Sequence, residues 1–459
     1  MEGVGRLSAP ETPAPAKVPA AAVADLPGAV RFDEAGKDMH GFIAELYPIC
    51  RSITGDGVRE TLARIGERIP SEMEEVPTGT PVFDWTVPRE WNIRDAYIES
   101  LRGARVVDFS RCNLHVVSYS TPIRRRMTLE ELRDHIFTLP DHPEWIPYRT
   151  SYYDETWGFC LSQRQLDALR DEEYEVCIDS SLEDGHLTYG ECYLEGELAD
   201  EVLVSCHVCH PSLCNDNLSG IAVATALATA LATVSRKYSY RFLFIPGTIG
   251  SITWLARNES RASRIKHGVV LTCVGDPGSS TYKKSRRGDA EIDRAFECVL
   301  RHSGQAYEIE DFSPYGYDER QYCSPGFDLP VGCLMRTPHG RFAEYHTSAD
   351  DLELVSAECL ADTLRKCLLV FDVLERNNTY VNLNPKCKPQ LGRRGLYQVI
   401  GGAADRRTEE LAMLWVLNQS DGSQTLLDIA VKAELPFPTV ARAAELLREH
   451  ELLEEIQPR

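Results

Sequence analysis

The sequence predicts an α/β chain in which a mainly parallel sheet carries helices on both faces, with an inserted β-rich module and a terminal helix-turn-helix. Three observations predict it. Short β-branched runs (YEVCID, HLTYGECYL, EVLVSCHV, YRFLFIP, KHGVVLTCVG) are followed, in the later part, by helical patterns at Gly220 to Val234, Ile252 to Arg257 and Glu291 to Arg301. Between Pro81 and about Ser151 the texture changes to alternating or aromatic strings such as FDWTVP, NLHVVSYS and WIPYRTSYY, broken by Pro and Gly. From about Arg406 onward come a helix, TLLDIAVKAELP and PTVARAAELLREHELLEE, the rhythm of a helix-turn-helix or winged helix.

Taken in order, residues 1–30 are rich in Ala, Pro and Val without a helical or strand period, and read as a disordered tail. Met39, Phe42, Ile43 and Leu46, then Leu62 and Ile65, recur at helical steps on either side of Thr54 to Gly57, so two helices are expected. The expected boundaries are a core of 31–80 and 155–380, an inserted module of 81–154 and a winged helix of 390–459. A chain of 459 residues is long enough for two or three such units.

With 49 Lys+Arg against 70 Asp+Glu the net charge is −21, which repels phosphate backbones and anionic lipids. The terminal domain follows suit: residues 405–459 hold 6 Lys+Arg against 11 Asp+Glu, and the expected recognition helix offers Arg442 and Arg448 with Glu445 between them. A packing or dimerisation role is expected there rather than DNA reading. The apolar stretch Ile221 to Val234 is too short for a bilayer span. Fifteen cysteines and the lack of a signal-like start point to a reducing cytoplasm. The expected partner is a small-molecule or short peptide-like substrate, with no nucleic acid, no membrane and room for a homo-oligomer.

The chemistry concentrates in two strings. In EVLVSCHVCHPSLCNDNLSG a buried strand ends at His207, His210 follows, and Asp216 and Asn217 precede the Ser-Gly that opens an Ala-rich helix. An imidazole at a strand end and a carboxylate held at a helix start make a zinc-type ligand set. The plain alternative is that Asp216 and Ser219 cap the helix and His207 is a satisfied core residue. The second string, PTPHGRFAEYHTSADDLELV, adds Glu344, Tyr345, His346 and Asp350/Asp351 on a loop after a strand. A third, PYGYDERQYCSPGFDLPVG, sets Asp318, Glu319 and Arg320 on a turn, which equally fits an exposed salt-bridged turn.

The order of strand-His, Asp-Asn-x-x-Gly before a helix, TIGSI, DERQY and EYHTSADDL resembles the zinc aminopeptidases with the phosphorylase/hydrolase-like fold. More closely, with VFDWTVPREWNIRDAY, CNLHVVSYS, IPYRTSYY, WGFC and NPKCKPQLGRRGLY added, the chain resembles the bacterial aminopeptidase-like family, in which such a core carries a small inserted domain and a C-terminal winged helix. The resemblance runs from about residue 35 to the end. It implies a mixed sheet flanked by helices, zinc as cofactor (one or two ions, or another divalent transition metal), and hydrolysis of a small amide or peptide-like substrate by water activated at the metal. It places the metal on His207, Asp216 and His346. His210 is a further ligand, a supporting group or a substrate contact, and Cys209 stands where the wider family has an orienting Asp. Asp318, Arg320, Tyr345 and Asn217 are the substrate-contact candidates.

One departure is chemical. Gly247 stands in FIPGTIGSI where the resembling enzymes carry Glu, so the usual proton acceptor is missing. Either Glu344 or Glu319 takes over as proton carrier, or the chain has become a non-hydrolytic tailoring enzyme of biosynthesis. A ligand-sensing regulator built on the same core is the third reading. Of the other features, Trp85, Trp91, Trp157, Tyr152 and Tyr153 read as cleft lining or core packing. Cys206, Cys209 and Cys214 read as soft ligands or inert thiols. The basic runs Arg124 to Arg126 and Lys283 to Arg287 read as solvated turns, the second also as a possible anion site near Gly275-Asp276.

Overall fold

Alternate side chains of the central strands feed two different apolar layers, and this alternation fixes the architecture. In the strand Glu201–His207, Val202, Val204 and Cys206 join one buried cluster with the helices Phe32–Leu46, Ser219–Leu231 and Ala357–Arg376. Leu203 joins the opposite cluster with Trp254 and Leu255 of the helix Ile249–Arg257. A strand buried on both faces reads as an unbroken apolar run, as VLVSC does. The computed structural model describes residues 21–152, 154–170, 173–396 and 403–456.

The central sheet has eight strands. In spatial order they are Glu72–Pro77, His186–Leu194, Ser239–Ile245, Glu201–His207, Ile265–Leu271, Val331–Met335, Ser280–Lys283 and Tyr307–Glu310. The four in the middle, from Ser239–Ile245 to Val331–Met335, run parallel, and antiparallel partners flank them on each side. The sheet is therefore mixed, with helices on both faces, as expected. Three of its strands escaped the sequence reading: Glu72–Pro77 and Tyr307–Glu310 are short edge strands whose exposed face removes the apolar signal, and Ser280–Lys283 is buried but only four residues long and mostly polar.

Three boundaries differ from expectation. The inserted module is a four-stranded sheet in the order Arg105–Asp108, Glu90–Ser100, Glu173–Glu183, Ile123–Thr128. It reaches Glu183 rather than 154, because YEVCID pairs along the length of Glu90–Ser100. Residues 21–29 of the expected tail are helical, and Val23 and Leu26 are buried against the core, an anchoring that two apolar side chains achieve despite the local Pro content. Residues 1–20 and Tyr153 lie outside the described residues.

The terminal domain comprises the helices Ala403–Gln419, Leu426–Ala433 and Phe437–Glu449 with strands Thr379–Asn382, Asp421–Thr425 and Leu453–Ile456, so it begins before residue 390. Its charged groups face the core: Arg294 pairs with Asp428, and Arg376 with Glu445 at 3.1 Å. Among the described residues no helix is long and apolar enough to cross a membrane.

Candidate metal centre

The strand Glu201–His207 delivers His207 at its carboxyl end, fully buried, and the next residues turn back to bring His210 and Asp216 to the same point. One ligand atom from each of His207, His210 and Asp216 lies within 4.8 Å of the others. His207 Nε2 stands 2.8 Å from one carboxylate oxygen of Asp216, and His346 Nε2 stands 3.0 Å from the other. Three imidazoles thus surround one buried carboxylate. Asn217, a substrate-contact candidate in the sequence, has an amide that donates to the carbonyls of Leu271 (3.0 Å) and His207 (3.3 Å), locking the strand end to the helix start.

Asp350 fixes Asp216 from behind, accepting the backbone N–H groups of Asn215 (2.5 Å) and Asp216 (3.0 Å). Burial pushes the Asp350 carboxyl up to about 8 in spite of these donors. Burial works against ionisation of Asp216 too, but the surrounding imidazoles, with hydrogen bonds from His207 and His346, outweigh it and hold this carboxyl well below its usual range. Burial pushes the His210 imidazole down to about 3, which keeps it neutral as a ligand must be. His210 and His346 both adopt left-handed backbone, at φ 78° and 57°, a conformation that costs roughly 1 kcal/mol or more in a non-glycine residue and is typical of functional sites.

The donor set fits a divalent metal. Two or three imidazoles and a carboxylate are the ligands of open, catalytic zinc sites, and Nδ1 of His210 is buried with no hydrogen-bond partner among the described residues. The thiols do not join it. Burial raises Cys206 well above the ordinary thiol range and Cys209 to about 12, so both stay protonated and inert.

The inserted module completes the site, which the sequence reading did not anticipate. Its segment Ile146–Tyr148 is stitched to the His346 loop by Tyr148 N–H to the His346 carbonyl (2.7 Å) and Ser348 N–H to the Ile146 carbonyl (2.8 Å). The Tyr148 ring meets His210 and His346 edge-on, at centroid distances of 4.9 and 5.1 Å. Tyr345 stacks on His346 at 3.9 Å.

Opposite Tyr148, the Tyr317 ring lies 3.9 Å from that of His207. It also fills the space that a side chain at position 247 would need: a Cβ on Gly247 would sit 2.0 Å from Tyr317 Cε1. Cys209 closes the same corner, with its sulfur 3.5 Å from the Tyr317 hydroxyl and accepting the Gly247 N–H at 3.4 Å.

The carboxylates proposed to replace the missing Glu are placed differently from one another. Glu319 is fully buried, paired with Lys283 at 2.6 Å and accepting the Tyr317 N–H at 3.0 Å, so its charge is spent on holding the loop. Asp318 is buried as well, receiving the Ser251 hydroxyl at 2.7 Å, and burial pushes its carboxyl up to about 7. Glu344 is half-buried beside Tyr345 and makes no side-chain hydrogen bond or ion pair among the described residues. Arg320 lines a cleft of about 310 Å³ together with Gly247 and Tyr317. The run Lys283 to Arg287 is no anion site, because Lys284 pairs with Glu297 and Arg286 and Arg287 with Asp328.

Two family models match: one described as a domain of unknown function (DUF4910) over residues 40–377, and a winged helix-turn-helix over residues 378–455. The first spans most of the chain. The protein belongs to this DUF4910 family. A relative from Clostridium acetobutylicum, described as a candidate polysaccharide biosynthesis protein with an aminopeptidase-like domain, is 55% identical over 420 residues, covering 92% of this chain and 96% of its own. A solved structure described as a candidate peptidase from Clostridium acetobutylicum is 53% identical with a TM-score of 0.89, over 93% of this chain and 97% of that one. The zinc aminopeptidase of Bacillus subtilis aligns over 73% of this chain and 94% of its own, at 12% identity and TM-score 0.53, a likeness of fold. The aminopeptidase-like resemblance seen in the sequence thus holds for the family and the fold, and so does the winged helix.

Proposed function

We propose that this protein is a metal-dependent hydrolase acting on an amide or peptide-like bond of a small substrate, with His207, His210, Asp216 and His346 as the metal-binding group. The observation that carries the reading is the convergence of these four side chains at the end of a central strand, in a fold shared with zinc aminopeptidases. Imidazole and carboxylate donors favour zinc over the alkaline-earth ions. A bound ion would supply Lewis acidity to polarise a carbonyl group. Asp216 and the histidines hold that ion, Tyr148 and Tyr317 wall the site, and Glu344 is the proton carrier. The relative's description mentions polysaccharide biosynthesis, which supports an amide-bearing sugar precursor as the substrate class. Its fifteen free cysteines support a reducing, cytoplasmic setting.

The test is metal analysis of the protein purified without added metal. About one equivalent of zinc in the wild type, falling at least tenfold in His207→Ala and His210→Ala, is expected. Less than a tenth of an equivalent in the wild type would defeat the proposal.

The Tyr317 ring in the space beside Gly247 favours a second reading, a non-hydrolytic tailoring enzyme on the same metal scaffold. Metal bound at one equivalent without release from any aminoacyl or acetamido-sugar amide selects it.

A further inference from the structure

The break between the first two long helices does more than turn the chain. Arg51, which follows the helix Phe32–Leu46, is 0% exposed. Its fork has two acceptors, both main-chain carbonyls: Nη1 donates to Leu46 at 2.6 Å and Nη2 to His210 at 3.3 Å. Nε is buried without a hydrogen-bond partner, and no carboxylate lies within ion-pair distance of the guanidinium among the described residues. The ionisable groups that act on it are the thiols of Cys50, Cys209 and Cys214 and the exposed Glu60. Burial pushes the Cys50 and Cys209 thiols up to about 12 and raises Cys214 as well, so none of them neutralises the cation.

A buried cation is costly unless charge-assisted bonds and a favourable field offset its desolvation. The carboxyl end of the helix Phe32–Leu46 supplies the field, because its last carbonyls carry the negative end of the helix dipole. Burial lowers the guanidinium to about 10, which leaves it charged at neutral pH. The other arm directs that charge to the carbonyl of His210, in a turn that needs support: His210 lies at φ 78° and Ser212 at φ 48°. The turn is tied to the same stretch again by the Ser212 hydroxyl, which donates to the Tyr47 carbonyl at 2.8 Å. Asn113 of the inserted module joins both sides, its amide 2.8 Å from Ser212 Oγ and 3.0 Å from the Pro48 carbonyl. A metal-binding histidine is ordinarily oriented by a hydrogen bond to its second ring nitrogen. The His210 ring makes none among the described residues, so its direction is set by its main chain and by ring packing alone.

We propose that Arg51 is the positioning residue that sets His210 as a metal ligand, holding its left-handed main chain from behind with a buried cation. The inference rests on the metal-centre reading. It accounts together for a guanidinium with no acidic partner and for a histidine ligand whose ring has no hydrogen bond of its own. Being 0% exposed, Arg51 meets no substrate and acts only through His210. The Leu46 carbonyl fixes its other arm, so the helix Phe32–Leu46, Arg51 and the His210 turn form one connected line.

Titration of the full-length protein with zinc and with cobalt(II) provides the test, using Arg51→Met and Arg51→Lys, each with His210 intact and with His210→Ala. Arg51→Met should weaken zinc binding at least about tenfold and alter the visible absorption bands of bound cobalt(II), which report ligand number and geometry. Arg51→Lys, whose ammonium keeps the charge but not the fork, should recover part of the affinity. In the His210→Ala background either substitution should change zinc affinity less than about twofold, because the ligand through which Arg51 acts is gone. Ile65→Ala, at a fully buried position of the helix Asp56–Gly66 outside this hydrogen-bonded line, is the destabilised control and should keep wild-type affinity and bands. An Arg51→Met protein with wild-type zinc affinity and unchanged cobalt bands overturns the proposal, and so does a loss of equal size with and without His210. Where Arg51→Met fails to fold, Arg51→Lys decides by the same comparison: a loss confined to the His210 background supports the proposal, and no loss or an equal one overturns it. Wild-type protein that takes up no zinc removes the metal-centre reading itself, a result distinct from zinc binding that ignores Arg51.

Discussion

Replacing Gly247 with Ala isolates the feature that separates this chain from the aminopeptidases it resembles. Gly247 does not occupy left-handed backbone, so its glycine is not demanded by its own φ. It is demanded by Tyr317, whose ring carbons Cε1 and Cζ would lie 2.0 and 2.7 Å from the new methyl group and whose hydroxyl oxygen would lie at 2.8 Å. The ring cannot move toward His207, already 3.9 Å away between centroids, so Gly247→Ala should cost about 2–3 kcal/mol, the upper part of the range for overpacking. In a Tyr317→Ala background the clash vanishes, and the same substitution should cost less than about 0.5 kcal/mol, giving a coupling of about 2 kcal/mol. Urea unfolding of the wild type, both single variants and the double variant measures it, with tryptophan fluorescence as the signal, since Trp254 lies one helix away from the site. Additive costs, or a Gly247→Ala protein as stable as the wild type, would refute the claim that Tyr317 has taken the missing side chain's place.

Three further outcomes are expected. Asp318→Asn should change the pH dependence of stability: burial raises the folded-state carboxyl from 3.8 to about 7, so the native chain binds a proton that the unfolded chain has already lost, and native stability declines as pH rises from about 4 to about 7. The decline is at most about 4 kcal/mol, and urea midpoints at pH 5 and 8 should fall for the wild type but not for the variant in that interval. Glu319→Gln, which strands the buried Lys283, should lose about 3–5 kcal/mol of stability by the same assay while metal content stays at the wild-type level; a metal loss matching that of His207→Ala would place Glu319 at the metal after all. The winged helix should show no salt-sensitive binding to duplex DNA at low ionic strength, checked by fluorescence anisotropy, because Arg376 and Glu445, and Arg294 and Asp428, are engaged at its junction with the core.

What could be read from the chain follows from the range of the interactions involved. The strand ending at His207 and the helix after Ser219 are written in local pattern, because an apolar run and an Ala-rich helix each carry their own period. The convergence of His346 on Asp216 was legible only through the resemblance, since the two lie 130 residues apart and no local signal joins them. Glu319 and Asn217 show the opposite limit. Both have the right chemistry beside the right motif, and both are engaged by partners, Lys283 and the Leu271 carbonyl, that sit on distant strands. Tyr317 and Tyr148 carried no signal at all, because a tyrosine beside a metal site is indistinguishable in sequence from one in the core.

The inserted module is therefore part of the centre and not an ornament on it. Its Tyr148 packs on His210 and His346, two of the proposed metal ligands, and its backbone holds the loop that presents His346 in a left-handed conformation. A strained residue persists only where its surroundings over-determine it. For His346 those surroundings are the Asp216 carboxylate on one side and the Ile146–Tyr148 segment on the other, joined by hydrogen bonds of 2.7 to 3.0 Å. The same module supplies Tyr152 to the cleft that Arg320 lines, and Trp85, just before the module's sheet, lies opposite. One inserted unit thus fixes the geometry of a proposed metal ligand and lines the adjoining cleft. Any change that loosens Ile146–Tyr148 from the His346 loop should weaken metal binding although it touches none of the proposed ligands, which metal analysis of the purified variant checks.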